Sequence, residues 1–210
     1  MQHLLRGWTL QYLIIVKKQV GEIMTEIRWH SRAGQGAVSG AKGLGDVVAT
    51  TGKEVQAFAL YGSAKRGAAL RAYNRISDEQ IFNHAKFMNP DYVLVIDPAL
   101  AFTDNIEVNE KDSTKYIITS HLSKEELIEG IPALHGKEDR VFVVDCVQIS
   151  LDEIGRSIPN APMLGAFVKI SGMFELDYFL DSMKRVLAKF PQKIIDGNMV
   201  AITRAYNEVK

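Results

Sequence analysis

Only one of the 210 residues, Cys146, is a cysteine. That excludes a disulfide framework and any iron–sulfur cluster held by this chain alone. It points to a reducing, cytoplasmic compartment. A surplus of one charge is also missing: 25 basic residues balance 25 acidic ones, so no overall field argues for nucleic acid. The apolar runs stop far short of the roughly 20 residues a membrane helix needs, so no membrane association is expected. His3, His30, His84, His121 and His135 are scattered without metal-ligand spacing. No nucleophile, base and orienter stand together. Neither a catalytic residue nor a metal ligand is therefore assigned. A core for a chain of this length buries about 70% of the surface its unfolded form exposes, enough to fold without staples.

Residues 1–23 stand apart from the rest of the chain. Leu10–Val16 imitates the apolar part of a signal peptide, but Gln11 interrupts it and Lys17-Lys18 follows where small residues should be. Met24 would serve equally well as a start, so 1–23 reads as an upstream start-site artefact, with a docking extension as the alternative. Residues 24–210 form the domain.

From Thr25 the pattern is regular. Thr25–His30 reads as a strand, and Gly36–Thr51 as a helix with Val38, Ala41, Leu44 and Val48 on one side. Gly36, Gly40 and Gly43 fall on a second face. Each glycine costs a helix about 1 kcal/mol relative to alanine, so the stripe suggests close approach of another backbone. Glu54–Ala59 and Ala68–Ile76 read as a near-hairpin, followed by a short helix around Asp78–Phe87. The apolar runs Tyr92–Ile96, Lys115–Thr119 and Val141–Val144 look like parallel strands buried on both faces. Ser123–Glu126 resembles a capping box. Further helices are expected over Gln148–Ser157, Leu164–Ser171, Glu175–Phe190 and up to Val209, the last capped by Asn198. The fold class is α/β: a Rossmann-like open, mostly parallel sheet with helices on both faces, in a single domain.

In such a sheet, loops leaving the C-terminal ends of neighbouring strands share one crevice. Ser31-x-Ala33-Gly34-x-Gly36 would open a helix there, presenting unpaired N–H groups and the positive end of its dipole. The turn lacks the glycines of a dinucleotide fingerprint, and NAD or FAD binding is a minor alternative. Tyr61-Gly62-Ser63-Ala64-Lys65-Arg66-Gly67 adds two full charges. Arg71, Tyr73 and Arg75 alternate onto one strand face, where paired arginines usually meet phosphate, carboxylate or a partner subunit; a solvated face is the bland alternative. His30 ends a strand beside the crevice, although a packed or exposed histidine accounts for it better. Asp97 and Asp145 close strands and serve as crevice or capping residues. Cys146 reads as a buried, inert thiol.

Ile27–Val38, with its Arg-Ala-Gly-Gln-Gly-Ala run, resembles the opening of the gamma subunit of the pyruvate:ferredoxin (2-oxoacid:acceptor) oxidoreductase family. Tyr61–Arg75 is similar to that family's second block, and Ile158-Pro159-Asn160 with Met163-Leu164-Gly165-Ala166 to its third. Ser31 and Ala33 replace family glycines, and Lys65 stands where a second arginine is common. The resemblance implies a subunit, inactive alone, of an enzyme converting a 2-oxoacid, coenzyme A and oxidised ferredoxin to acyl-CoA, CO2 and reduced ferredoxin. Pyruvate is the favoured substrate; 2-ketoisovalerate, 2-oxoglutarate, aryl-glyoxylate and oxalate are alternatives. Thiamine diphosphate, Mg and [4Fe-4S] clusters would sit on alpha, beta and ferredoxin-like delta partners. No cofactor is expected on this chain alone, which would contact coenzyme A as a substrate. Gly34, Gln35, Gly36, Tyr61, Lys65, Arg66, Gly67 and Arg71 are the expected contacts. Two other readings are a purely structural assembly subunit and a stand-alone nucleotide enzyme.

Overall fold

The computed structural model describes residues 24–61, 68–83, 85 and 89–210, with Tyr61 described by its backbone alone. The expectations for 1–23 and for 62–67 lie outside these residues. A six-stranded sheet runs in the order β2–β3–β1–β4–β5–β6. Its strands are β1 (Met24–Arg32), β2 (Glu54–Tyr61), β3 (Ala69–Ser77), β4 (Tyr92–Val95), β5 (Lys115–Thr119) and β6 (Val141–Val144). β1, β4, β5 and β6 pair parallel, while β3 lies antiparallel between β1 and β2. β3 alone runs against the others, so the sheet is mostly parallel, as its apolar runs imply. Val93, Leu94, Val95 and Ile96 are fully buried, the signature of a strand covered on both faces.

Among the described residues seven α-helices cover the sheet: α1 (Ala37–Ala49), α2 (Leu100–Thr103), α3 (Lys124–Glu129), α4 (Cys146–Ile154), α5 (Asn160–Ser171), α6 (Leu176–Val186) and α7 (Gln192–Glu208). One face packs Ile27, Trp29, Leu94 and Ile117 against α1 and α4–α7. The other packs Val93, Val95, Tyr116 and Ile118 against α2, α3 and Ile106. α3 has the expected capping box, Ser123 and Glu126 each accepting the other's backbone N–H. The last residue, Lys210, exchanges both backbone hydrogen bonds with Val143 and so covers part of the outer edge of β6. No helix among the described residues is long and apolar enough to cross a membrane.

Several expectations change. Residues 78–83 contain no helix, and apart from Ala85 the rest of the expected Asp78–Phe87 helix lies outside the described residues. Buried Arg75 donates to the backbone carbonyls of Asn83 and Ala85 and ties this segment down as a loop. Asn198 is not a cap. α7 begins six residues earlier, after Pro191, and the Asn198 amide donates to the Ile194 carbonyl inside it. Val38 is exposed, and Val47 takes its place on the buried side of α1. The glycine stripe meets side chains and no foreign backbone. A Cβ on Gly40 would lie 3.2 Å from the Trp29 ring, and one on Gly43 3.7 Å from Met183. α1 therefore lies directly on the Trp29 indole, whose N–H donates to Asn74 (2.9 Å) while Asn74 donates to the Ala41 carbonyl (2.7 Å).

Candidate functional site

After β1 the chain crosses over one face of the sheet through α1. After β4 it turns into α2 on the opposite face. The strand order reverses between these neighbours, which makes the space above β1 and β4 a topological switch point, where open α/β sheets leave a crevice for ligands.

The β1 turn is built from its own residues. Gly34 and Gly36 take φ of 98° and 90°, a left-handed backbone that glycine adopts without steric cost. Gly36 starts α1 with no side-chain cap. The Gln35 amide accepts from the Arg32 backbone N–H (2.8 Å) and the Ser31 hydroxyl (3.2 Å), and donates to Asp97 (2.6 Å). Asp97 also accepts from the Ala99 N–H and lies 3.3 Å from the Arg32 guanidinium. Gln35 thereby ties the β1 turn to the β4 turn and holds the crevice's two walls at fixed separation. The Asn160 amide, from the start of α5, sits where a Cβ on Gly36 would be, 2.9 Å away.

The Ala33 N–H donates to the Ala68 carbonyl (3.3 Å), so Ala68, the residue that follows the basic loop in sequence, lies against the same turn. Lys65, Arg66 and Gly67 are outside the described residues, as is the Tyr61 side chain; the Tyr61 backbone pairs with Leu70 in the β2–β3 ladder. Asp145 is a cap, accepting from the Gln148 N–H at the start of α4. Cys146 is fully buried, and burial pushes its thiol up to about 12.

Beneath the crevice lies a charged cluster on the face of β1 and β3 that carries Glu26, Arg28, His30, Arg71, Tyr73 and Arg75. His30 is wholly buried. Its Nε2 accepts from Arg28 Nε (3.0 Å), and its Nδ1 lies 2.6 Å from Asp104 Oδ2. The first bond fixes the neutral tautomer, so the proton sits on Nδ1 and is donated to Asp104. Arg71 Nη2 donates to the other carboxylate oxygen, Oδ1, at 2.7 Å. Arg28 is anchored in turn by the carbonyls of Val108 (2.9 Å) and Ile106 (2.6 Å). Arg75 is also buried and paired, its Nε 3.0 Å from Glu26. The solvated-face reading of this strand therefore fails at Arg75, where a buried ion pair holds the loop after β3. Asp104 and Arg28 were not legible as cluster members: Asp104 lies in an irregular stretch, 74 residues from the histidine it contacts.

Burial, helped by the cations Arg28 and Arg71, lowers the His30 pKa from 6.5. The hydrogen bonds from His30 and Arg71 hold the Asp104 carboxyl well below its ordinary 3.8. Both shifts have the same sign. Below pH 6.5 the unfolded chain gains a proton at this histidine that the folded chain does not, and near pH 4 the same becomes true of the aspartate. The urea midpoint is therefore expected to fall as pH drops below about 6.5 and to fall further below about 4. His30→Gln should remove the upper step and shrink the lower one, which then rests on Arg71 alone. A wild-type midpoint that stays level from pH 7 to 5 would contradict the buried neutral imidazole.

Among the described residues no group of three or more His, Cys, Asp or Glu comes together as a metal-ion set. Residues 26–208 match the family model described as pyruvate ferredoxin/flavodoxin oxidoreductase. The chain is 41% identical to the pyruvate synthase subunit PorC of Thermotoga maritima, covering 88% of this chain and 94% of that one. It is 35% identical to the pyruvate/ketoisovalerate oxidoreductases common subunit gamma of Thermococcus kodakarensis, covering 88% and 97%. The crystal structure of the Thermotoga maritima pyruvate oxidoreductase subunit superposes with a TM-score of 0.76 at 38% identity, covering 90% and 98%.

Proposed function

The chain belongs to the pyruvate ferredoxin/flavodoxin oxidoreductase family, and on that premise we propose that it forms the coenzyme A side of the active site in the assembled enzyme. It is a subunit of a multisubunit oxidoreductase. In this reading the partners are alpha, beta and ferredoxin-like delta subunits. They carry the thiamine diphosphate with Mg and the [4Fe-4S] clusters, which supply decarboxylation and electron transfer. Pyruvate is the 2-oxoacid, supported by the names of the relatives at 41% and 35% identity. The complex works in the cytoplasm, a placement that rests on the lone cysteine.

One observation carries the reading. The β1 turn, the end of the basic loop and the start of α5 converge at the switch point, joined by the Ala33–Ala68 hydrogen bond and the Gly36–Asn160 contact. These are the three blocks separated in sequence, brought to one crevice. Lys65 and Arg66 pair with phosphate oxygens, while Gly67 lets the backbone approach. Gly34 and Gly36 shape the turn and bring the first N–H groups of α1 to the anion. Gln35 holds the walls apart, Tyr61 ends β2 before the loop, and Arg71 stands near the start of β3.

Arg66 gives the test. A guanidinium forks onto a phosphate with two charge-assisted hydrogen bonds, a contribution of about 1.5–3 kcal/mol. Arg66→Ala should raise the KM for coenzyme A by roughly ten- to a hundred-fold. Decarboxylation up to the thiamine-bound intermediate needs no coenzyme A and should proceed normally. Arg66→Lys should recover part of the loss, having charge without the fork. The measurement sets single-turnover cluster reduction with 2-oxoacid alone beside steady-state turnover across a coenzyme A titration. Equal damage to both, or failure to assemble, would make Arg66 a docking residue and favour the purely structural subunit.

A further inference from the structure

Arg28, His30, Asp104 and Arg71 form one chain of hydrogen bonds that crosses from β1 to the segment after α2 and back to β3. We propose that His30 and Asp104 are positioning residues that hold Arg71 as an anion-binding group beneath the crevice, aimed at a phosphate of coenzyme A. This inference rests on the coenzyme A reading above and adds to it the residues that orient one contact.

The first support is charge. The cluster has two guanidinium groups and one carboxylate, which Arg71 alone meets directly, and the imidazole between Arg28 and Asp104 is neutral, so it holds one positive charge in excess. Arg75 is met by Glu26 and Arg32 by Asp97, so the excess stays local to Arg28 and Arg71 among the described residues. A buried charge without full compensation is costly, and an arriving anion removes that cost.

The second support is exposure. Arg28 and His30 are buried, whereas the Arg71 side chain keeps 29% of its surface. It is therefore the cation of the chain that a ligand can reach, beside the Asp104 side chain at 20%. Arg71 stands near the start of β3, opposite His30 in the β1–β3 ladder and two residues after Ala69, which pairs with Arg32 at the crevice rim.

The third support is direction. Asp104 uses Oδ2 for the imidazole N–H and Oδ1 for Arg71, so each bond fixes the carboxylate plane for the other. Arg28, itself held by two backbone carbonyls, occupies Nε2 and prevents the alternative tautomer. With the proton on Nε2, Nδ1 would face the carboxylate lone pair to lone pair, and Asp104 would turn away from Arg71. Such built orientation lowers the ordering cost of binding.

Two substitutions separate the halves of the imidazole. Asparagine places an N–H where Nδ1 stands, whereas glutamine places its polar atoms where Nε2 stands. His30→Asn therefore keeps the bond to Asp104, and His30→Gln loses it while still accepting from Arg28. In the assembled complex, His30→Gln should raise the KM for coenzyme A by about tenfold, the effect of one misaligned charged contact. The turnover number and the 2-oxoacid-only single turnover should stay near native. His30→Asn should remain within about twofold of native. Arg71→Ala serves as the reference and should raise the same KM at least as much.

If Arg71→Ala leaves the coenzyme A dependence unchanged, Arg71 is no ligand and both the inference and its place in the coenzyme A reading fall. If Arg71→Ala acts but His30→Gln does not, only the inference falls. Equal losses in His30→Asn and His30→Gln, tracking a lowered melting temperature, would also overturn it, because a folding role makes no such distinction. A raised KM for the 2-oxoacid in place of coenzyme A would do the same. Should His30→Gln fail to assemble, Asp104→Asn carries the comparison; a raised coenzyme A KM upholds the inference, and an unchanged KM or failed assembly overturns it.

Discussion

Gly165→Ala is expected to cost more than about 4 kcal/mol, a range that single substitutions reach through only a few mechanisms, and to leave little soluble protein. Gly165 lies in α5, where a Cβ would stand 2.0 Å from the Ile202 carbonyl oxygen and 2.8 Å from its carbon. Both atoms are α7 backbone, so no rotamer change relieves the overlap. The two helices must separate by more than an ångström along a contact that includes buried Ala161, Ala201 and Ala205. Such small residues let two backbones approach closely enough for Cα–H···O contacts. Separation opens gaps along the whole seam, and each gap forfeits dispersion contacts. Gly197→Ala is the internal comparison. Its Cβ would lie 2.6 Å from the Glu153 carbonyl, a milder overlap, so its loss should be smaller. The check is soluble yield and thermal unfolding of the purified subunit. A Gly165→Ala protein melting within about 4 °C of wild type, little more than about 1–2 kcal/mol for a chain of this size, would show that α5 and α7 part without penalty.

The second large effect is at Arg75. The residue is 2% exposed, and its side chain donates to Glu26 (3.0 Å), to Gln56 (3.3 Å), and to the backbone carbonyls of Asn83 and Ala85. Arg75→Leu leaves the half-buried Glu26 carboxylate without its main partner. Burial already raises the Glu26 pKa in spite of the attraction of Arg75. Breaking a buried ion pair on one side costs about 3–5 kcal/mol, which lowers the melting temperature of a domain this size by roughly 6–20 °C. The double variant Glu26→Leu/Arg75→Leu should recover part of that loss, since no lone charge remains. The loop also loses its anchor, so amide exchange at Ile81, Phe82 and Asn83 should accelerate more than exchange in β4. A single variant as stable as wild type in urea, or a double variant worse than the sum of its parts, would exclude this account.

The crevice was legible because its parts are local. Gly34 and Gly36 announce a left-handed turn whatever surrounds them, and Lys65-Arg66 between glycines announces a basic loop. The resemblance in three blocks then identified the family, although nothing in composition or spacing indicated what the blocks have in common. That common ground is spatial: Gly36, Ala33–Ala68 and Asn160 meet at the switch point. Gln35 was assigned to ligand contact, and the structure shows its amide bridging Arg32 and Asp97. A side chain beside a glycine looks the same in sequence whether it points at a ligand or braces the turn.

Alternation, apolar runs and capping signals were enough to determine the order of the strands and of the longer helices, the hairpin, and an α/β class with a mostly parallel sheet; the short helix Leu100–Thr103 left no such signal. These signals act over a few residues and need no partner. Tertiary structure alone decided which glycine meets a backbone. The helical stripe at 36, 40 and 43 found side chains, while the close helix contact fell at Gly165 and Gly197. It also decided that residues 78–83 form a loop, tied down where Arg75 takes the carbonyls of Asn83 and Ala85. Above all it brought Asp104 to His30 and Arg71. Hydrogen bonds among groups 74 and 33 residues apart leave no periodic trace, since their geometry exists only once β1, β3 and β4 lie side by side.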